Sequence, residues 1–237
     1  MPHFDCNGIL VVDKEQGWTS HDVCAFVRSR FKIKKVGHAG TLDPLATGVL
    51  VVLLGPATKK SKELSSCDKD YYGTLQLGLK TDSQDISGTV TEQGDWSHVT
   101  EELLKEAFEK FRGEQEQTPP MVSALKHQGK RLYQLARAGK VVDRQKRSIT
   151  VYEFRIEEIN LPYVRFFAHV SKGTYLRTLV NDLGEMLGSF AVLTELRRVR
   201  SGSLSLADAV TIPELKNSDQ IQFKTWVKQV PATVAVS

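Results

Sequence analysis

Between Gly37 and Gly48 the chain reads Gly-His-Ala-Gly-Thr-Leu-Asp-Pro-Leu-Ala-Thr-Gly, and the unbroken apolar run 49–54 follows at once. A short apolar run bounded by turn residues predicts a buried strand, far below the ~20 residues needed to cross a bilayer. The segment ahead of it reads as a rigid loop built around Asp43. Glycines at 37, 40 and 48 permit turns and close backbone approach that other residues resist, while Pro44 biases Asp43 toward an extended conformation. A carboxylate held this way can be aimed, although Asp-Pro is also a common way to begin a turn.

Around this loop, strand and helix patterns alternate. Residues 9–12 predict a strand, and Val23, Phe26, Val27 and Phe31 recur at helical spacing behind the capping candidates Thr19 and Ser20, predicting a helix over about 20–31. Leu75, Leu77 and Leu79 alternate as a strand with one polar face. Thr100 followed by Glu101 and Glu102 suits a helix start; Leu103, Leu104, Ala107, Phe108 and Phe111 supply its apolar side and Gly113 its stop. Segments 149–156 and 164–170 predict an antiparallel pair turning at Asn160-Leu161-Pro162. Leu176, Leu179, Val180, Leu183, Met186 and Leu187 mark another helix, stopped by Gly188. Several hairpin-like pairs and no Gly-rich nucleotide fingerprint predict an α+β fold.

Charge is more informative in its distribution than in its total of +4. From Lys126 to Arg147 eight Lys or Arg face one acid, Asp143, and five more cations lie between Arg28 and Lys35. Residues 68–116 hold twelve acids against five bases. A basic segment of this kind can present a positive face to a phosphate backbone in a nearly neutral chain. Since 117–147 also carries Pro119, Pro120, Gly129 and Gly139, it reads as a projecting arm. Cys6, Cys24 and Cys67 are odd in number and widely spaced, giving neither a disulfide framework nor metal-ligand spacing. With no signal peptide pattern at the N-terminus, a cytoplasmic location is expected.

The Gly37–Leu50 stretch resembles, residue for residue, the signature loop G-H-x-G-T-L-D-P-x-A-x-G-x-L of the TruB-type tRNA pseudouridine synthases. The resemblance continues in family order through Gly8-Ile9-Leu10-Val11-Val12-Asp13-Lys14 with Gly17 and Ser20, and Asp68-Lys69-Asp70-Tyr71. Then come Thr81-Asp82-Ser83-Gln84-Asp85 with Gly88, 120–126, Lys172-Gly173-Thr174-Tyr175-Leu176-Arg177, and Leu196-Arg197-Arg198. It implies the pseudouridine synthase fold: a central mixed, largely antiparallel sheet flanked by helices in two subdomains, with the active-site cleft between them. It also implies a catalytic domain over 1–213 with a basic RNA-binding insertion at about 117–147. A short tail, 214–237, stands where most members carry a full C-terminal RNA-binding domain.

The implied reaction isomerises a specific uridine of tRNA, uridine 55 in the T-loop, to pseudouridine. A carbon–nitrogen glycosidic bond breaks, the base rotates and a carbon–carbon bond forms, so nothing is oxidised and neither metal nor organic cofactor is expected. By resemblance Asp43 is the essential group, Tyr71 packs against the target base, and Arg177 pairs with the carboxylate. Read from the residues alone, Arg177 opens a helix, where a cation opposes the helix dipole and needs a compensating anion. His38 and Tyr175 correspond to residues near the flipped nucleotide, and Lys14 and Ser20 support the loop. Extruding a stacked uridine costs a few kcal/mol, to be recovered from RNA contacts. Lys126, Lys130, Arg131, Arg137, Lys140 and Arg144 are candidate phosphate contacts, with Tyr133 as a stacking candidate.

tRNA is thus the expected partner, with no membrane and no obligate protein partner. Ala39 stands where relatives in guide-RNA particles carry serine, which favours a stand-alone enzyme. Two other readings stay open: a tRNA-binding folding factor, and a carboxylate-dependent glycoside hydrolase, which would want a second acid within ~5 to 10 Å.

Overall fold

The computed structural model describes residues 4–230, apart from the side chains of Lys126, His127 and Arg137. The chain opens with β1 (Gly8–Lys14), α1 (Ser20–Phe31), β2 (Val36–Ala39) and β3 (Thr47–Leu54). A 3-10 turn over Gly55–Lys60 and α2 (Ser61–Ser65) lead to β4 (Lys69–Leu77), β5 (Leu79–Thr81) and β6 (Val90–Gln93). Next come α3 (Glu101–Lys110), β7 (Gly113–Gln117), β8 (Lys126–His127), β9 (Lys130–Arg131) and α4 (Leu132–Arg137). The remainder is β10 (Arg147–Asn160), β11 (Tyr163–Val170), α5 (Leu176–Met186), β12 (Ala191–Ser201), β13 (Leu204–Ser205) and β14 (Val210–Thr211), then α6 (Ile212–Asn217) and α7 (Gln220–Trp226). Among the described residues no helix is long and apolar enough to cross a membrane.

Two compact units result: one takes the chain up to Tyr71 and again from Leu196, the other spans Tyr72–Glu195. The division falls inside β4 and inside β12.

In the first unit β1 runs antiparallel to β3, from Gly8 opposite Leu54 to Lys14 opposite Gly48, and parallel to β14 at Val12 and Val210. The far edge of β3 is shared: β2 pairs antiparallel with 51–54, and β12 joins in parallel at Thr47 and Gly48. Ile9, Val11, Ala39, Val49, Val51 and Leu53 pack as one cluster with Leu64, flanked by Leu204 and Leu206. Leu10, Val12, Leu50 and Val52, on the opposite face of the same strands, are equally buried. Burial on both faces is why these strands read as continuous apolar runs. Helix α1 has the predicted bounds because its start is specified chemically: Thr19 Oγ1 accepts from the Asp22 N–H at 3.0 Å and the Asp22 carboxylate accepts from the Thr19 N–H at 2.9 Å. It ends at Lys32 in the left-handed conformation, with Phe31 stacked on Phe223 at 3.9 Å.

In the second unit β10 and β11 form the expected antiparallel hairpin, and β7 pairs with the other edge of β10. Phe108 of α3 stacks on Phe154 at 4.1 Å, and Phe166 meets Phe154 edge-on at 5.3 Å. Each such ring contributes roughly 1.5–3 kcal/mol by leaving water. The α+β expectation is met: strand pairing is mixed in the first unit, where β14 and β12 join in parallel, and antiparallel between the strands β5–β6, β7–β10, β8–β9 and β10–β11 of the second.

Three local expectations change. Leu75, Leu77 and Leu79 do not share one strand, because Gly78 (φ +90°) turns between β4 and β5 and donates its N–H to the Ser189 and Phe190 carbonyls. Helix α3 stops at Lys110 before reaching Gly113: Gln115 Nε2 takes the Phe111 carbonyl at 2.6 Å, and Gly113 begins β7. The strand expected around Leu75 begins earlier, at Lys69, so that Tyr71 lies within β4, where the alternation turns it inward at 7% exposure.

Candidate active site

Asp43 sits, half-buried, in the loop joining β2 to β3, and the groups around it are held one by one. Gly40 (φ +77°) donates its N–H to Ser65 Oγ at 3.0 Å and offers its carbonyl to Arg198 Nη2 at 3.1 Å. Leu42, just before Asp43, donates its N–H to Ser20 Oγ at 2.9 Å, and its carbonyl accepts from the same hydroxyl at 3.0 Å. On the other side, the Pro44 carbonyl accepts from the Gly17 N–H at 2.8 Å and lies 3.5 Å from Lys14 Nζ. The Asp43 carbonyl itself accepts from the Ala46 N–H at 3.1 Å. Both peptide neighbours of the carboxylate are thereby fixed from α1 and from the β1–α1 turn. Lys14 and Ser20 take the supporting places expected of them.

Two cations are sealed beneath this loop. Lys14 has no exposed surface and donates to the Trp18 carbonyl at 2.7 Å and the Glu15 carbonyl at 3.0 Å. Burial pushes its ammonium down to about 8; the charge of Asp43 opposes the shift, Arg198 adds to it and Asp22 opposes it again. Arg198, 1% exposed, gives Nε to the Val49 carbonyl at 2.7 Å. Further along the same segment, Arg197 pairs with Asp13 at 2.7 Å and Arg200 donates to Asp70 at 2.8 Å. His38 lies in β2 opposite Val52, half-buried, and its carbonyl accepts from Ser61 Oγ at 2.9 Å.

Asp43, His38 and Tyr71 belong to the first unit; Arg177, Tyr175, Lys130 and Arg131 belong to the second. Arg177 is 3% exposed in the first turn of α5. The anion its position demands is present in its own unit: Asp85 Oδ2 lies 3.7 Å from Nε. Two carbonyls also hold it, Ser83 at 2.6 Å from Nη1 and Val122 at 2.8 Å from Nη2. Asp85 is oriented in turn by Ser83 Oγ at 2.8 Å and the Ser87 N–H at 3.0 Å. Tyr175 caps α5, its N–H and carbonyl both bound by the Gln117 amide at 2.8 and 3.0 Å, with the Arg147 guanidinium 4.8 Å from its ring centre.

The basic arm is built as a small hairpin, with His127 opposite Lys130 and Lys126 opposite Arg131, running into α4. Lys130 and Arg131 are exposed. The Lys126 and Arg137 side chains lie outside the described residues. Arg144 is half-buried, and its Nη1 holds the Pro119 carbonyl at 3.0 Å, so it braces the arm as well as charging it. Asp85 and Arg198 are the residues to which the sequence reading gave no role. Both stand in segments that carry the family resemblance, but nothing local says which distant group each will meet.

Residues 28–176 match the model of the TruB family pseudouridylate synthase N-terminal domain, and 177–230 that of the tRNA pseudouridylate synthase B C-terminal domain. A tRNA pseudouridine synthase B of Geotalea uraniireducens is 50% identical over 208 residues, covering 88% of this chain and 67% of that protein. One of Opitutus terrae is 45% identical over 215 residues, covering 91% of this chain and 89% of the relative. Among solved structures, a chain in a Cbf5-Nop10-Gar1 complex superposes with a TM-score of 0.72 at 30% identity, over 94% of this chain and 60% of the other.

Proposed function

We propose that this chain, which belongs to the TruB family of pseudouridylate synthases, converts a uridine of tRNA to pseudouridine with Asp43 as the essential carboxylate. The observation that carries the reading is the clamp on Leu42 and Pro44, which fixes the peptides on both sides of Asp43 while leaving the residue half open. Such a group is preorganised for a nucleotide brought to it, and preorganisation supplies much of a barrier reduction. In the reaction the bond from N1 of the base to the sugar breaks and one from C5 forms. The C5 proton leaves and N1 gains one, so the sum of atoms is unchanged.

The remaining roles follow from chemistry. Tyr71 offers an aromatic face to a planar uracil. Arg177, paired with Asp85, supplies a fixed guanidinium, and His38 and Tyr175 contact the everted nucleotide. Lys126, Lys130 and Arg131 engage phosphates. The target we assign is uridine 55 of the T-loop, and the place of work the cytoplasm, with no obligate protein partner.

The test is pseudouridine formation in tRNA by the purified chain and by Asp43→Asn, with positions mapped afterwards. The substitution is expected to lower turnover by about 10³-fold or more with tRNA affinity within about threefold, as for a group needed only in the chemical step. Full turnover by the variant would remove Asp43 from the chemistry. Release of free uracil would point to a hydrolase, and RNA binding without any modification to a folding factor.

A further inference from the structure

We propose that Arg198 is a positioning residue for this reaction: its guanidinium sets the place of Asp43 by tying Gly40, where the loop that carries it begins, to Val49 in β3, just past where that loop ends. The proposal deepens the functional reading above and rests on it. Asp43 stands between Gly40 and Val49, and Arg198 holds the carbonyls of both, through Nη2 at 3.1 Å and Nε at 2.7 Å.

The arrangement follows from the shared edge of β3. Strand β2 pairs with 51–54 and β12 with 47–48, so Val49 falls in the interval between the two neighbours. Arg198 closes that interval with a side chain. Its own backbone lies opposite Gly48, so close that a Cβ there would come within 2.1 Å of the Arg198 carbonyl. At the far end of the tether a Cβ on Gly40 would stand 3.5 Å from Arg198 Nη1 and 3.7 Å from Lys69 Cε, ordinary van der Waals contact, so the constraint there is the left-handed φ of +77°. Ser65 receives the Gly40 N–H, and the Ser65 carbonyl accepts from Lys69 Nζ at 2.8 Å.

Fold stability alone does not call for a cation here. Among the described residues the hydrogen-bond partners of Arg198 are both carbonyl oxygens, and a buried charge without a carboxylate carries a desolvation cost of several kcal/mol. An apolar side chain of similar length would fill the same space without that cost. A guanidinium can bind two divergent carbonyls in one fixed plane, whereas the ammonium of lysine is a point donor on a flexible stem. What the charge adds is therefore geometry at Gly40 and Val49, transmitted to the residue between them.

Arg198→Lys and Arg198→Met in the full chain test this, through tRNA pseudouridylation rates at saturating and limiting substrate and amide hydrogen exchange at Leu42, Asp43 and Leu45. The expected result for Arg198→Lys is a folded protein whose saturated rate falls about 10²-fold, the cost of a displacement near 1 Å, with KM within about threefold. Exchange at the three loop amides is expected to quicken while the β10–β11 hairpin stays protected. A saturated rate within about threefold of the parent, or unchanged loop exchange, would overturn the proposal. If Arg198→Met does not fold, Arg198→Lys alone decides. Should the parent chain form no pseudouridine, the functional reading fails, and the exchange measurement still judges Arg198.

Discussion

Arg177 and Asp85 face each other inside the second unit with Nε 3.7 Å from Oδ2, their side chains only 3% and 7% exposed. A cation in the first turn of a helix opposes the helix dipole, and Asp85 supplies the opposing charge that lets it stay. Losing one partner of a buried ion pair costs up to roughly 3–5 kcal/mol. Asp85→Asn is therefore expected to lose about that much in urea unfolding. Combining Asp85→Leu with Arg177→Met is expected to lose clearly less than the sum of the two single changes. Additive losses would show that the two charges do not act as a pair.

Ser20 holds Asp43 by a different route, through both backbone groups of Leu42 at 2.9 and 3.0 Å. Ser20→Ala leaves a buried N–H and a buried carbonyl unmatched, which costs about 1–3 kcal/mol. Because those groups belong to the residue before the carboxylate, turnover is expected to fall by more than the tRNA affinity does. Thermal unfolding together with single-turnover pseudouridylation checks both parts. Unchanged turnover in a destabilised protein would confine Ser20 to stability.

The sequence exposed this site unevenly, for physical reasons. Asp43, its glycines and the helix behind it were legible because turn chemistry and capping are local: Thr19 and Asp22 specify the start of α1 within four residues. One partner of Arg177 was half legible. The helix dipole announced that an anion was needed, but the choice of Asp85 depends on how a loop far back in the chain folds over α5. Arg198 is visible in the sequence only as part of a motif, since alternation along a strand tells which face a side chain takes and not which carbonyl it reaches. Gly78 shows the same limit. Leucine alternation runs straight through it, and the turn is fixed by the Ser189 and Phe190 carbonyls.

Two glycines with nearly equal backbone angles should respond very differently to alanine. Gly48 has φ +95° and Gly113 φ +93°, so both variants carry the left-handed penalty of about 1–2 kcal/mol. At Gly113 nothing lies within 4 Å of the added methyl group, whereas at Gly48 it would meet the Arg198 carbonyl at 2.1 Å. Gly113→Ala is thus expected to remain folded and active, slightly less stable. Gly48→Ala must force β3 from β12, with a loss of more than about 3 kcal/mol and of pseudouridylation with it. Equal urea midpoints for the two variants would contradict the close approach of these strands.

The ammonium of Lys14 couples pH to both stability and activity, with opposite signs. Its value in the folded protein, about 8, lies below the ordinary 10.5, chiefly through burial; Arg198 deepens the shift, while Asp43 and Asp22 oppose it. Between those two values the unfolded chain binds more protons than the folded one, so this group makes stability rise with pH across that window. Below about 8 it is charged in both states, and the cost of burying it is felt in full. Activity runs the other way. Deprotonation takes away a donor from the carbonyls of Glu15, Trp18 and Pro44, and with it the charge that faces Asp43. Accordingly kcat/KM, which reports groups of the free enzyme, is expected to fall as pH rises through about 8. Burial holds Cys24 at about 12 and raises Cys6 and Cys67 above their ordinary 9, so no thiol accounts for that limb. With tRNA bound, its phosphates favour the charged form and move the limb in kcat to higher pH. Lys14→Met is expected to be slow at every pH and to lack the limb. A profile for Lys14→Met that still bends near pH 8 would assign the titration to another group.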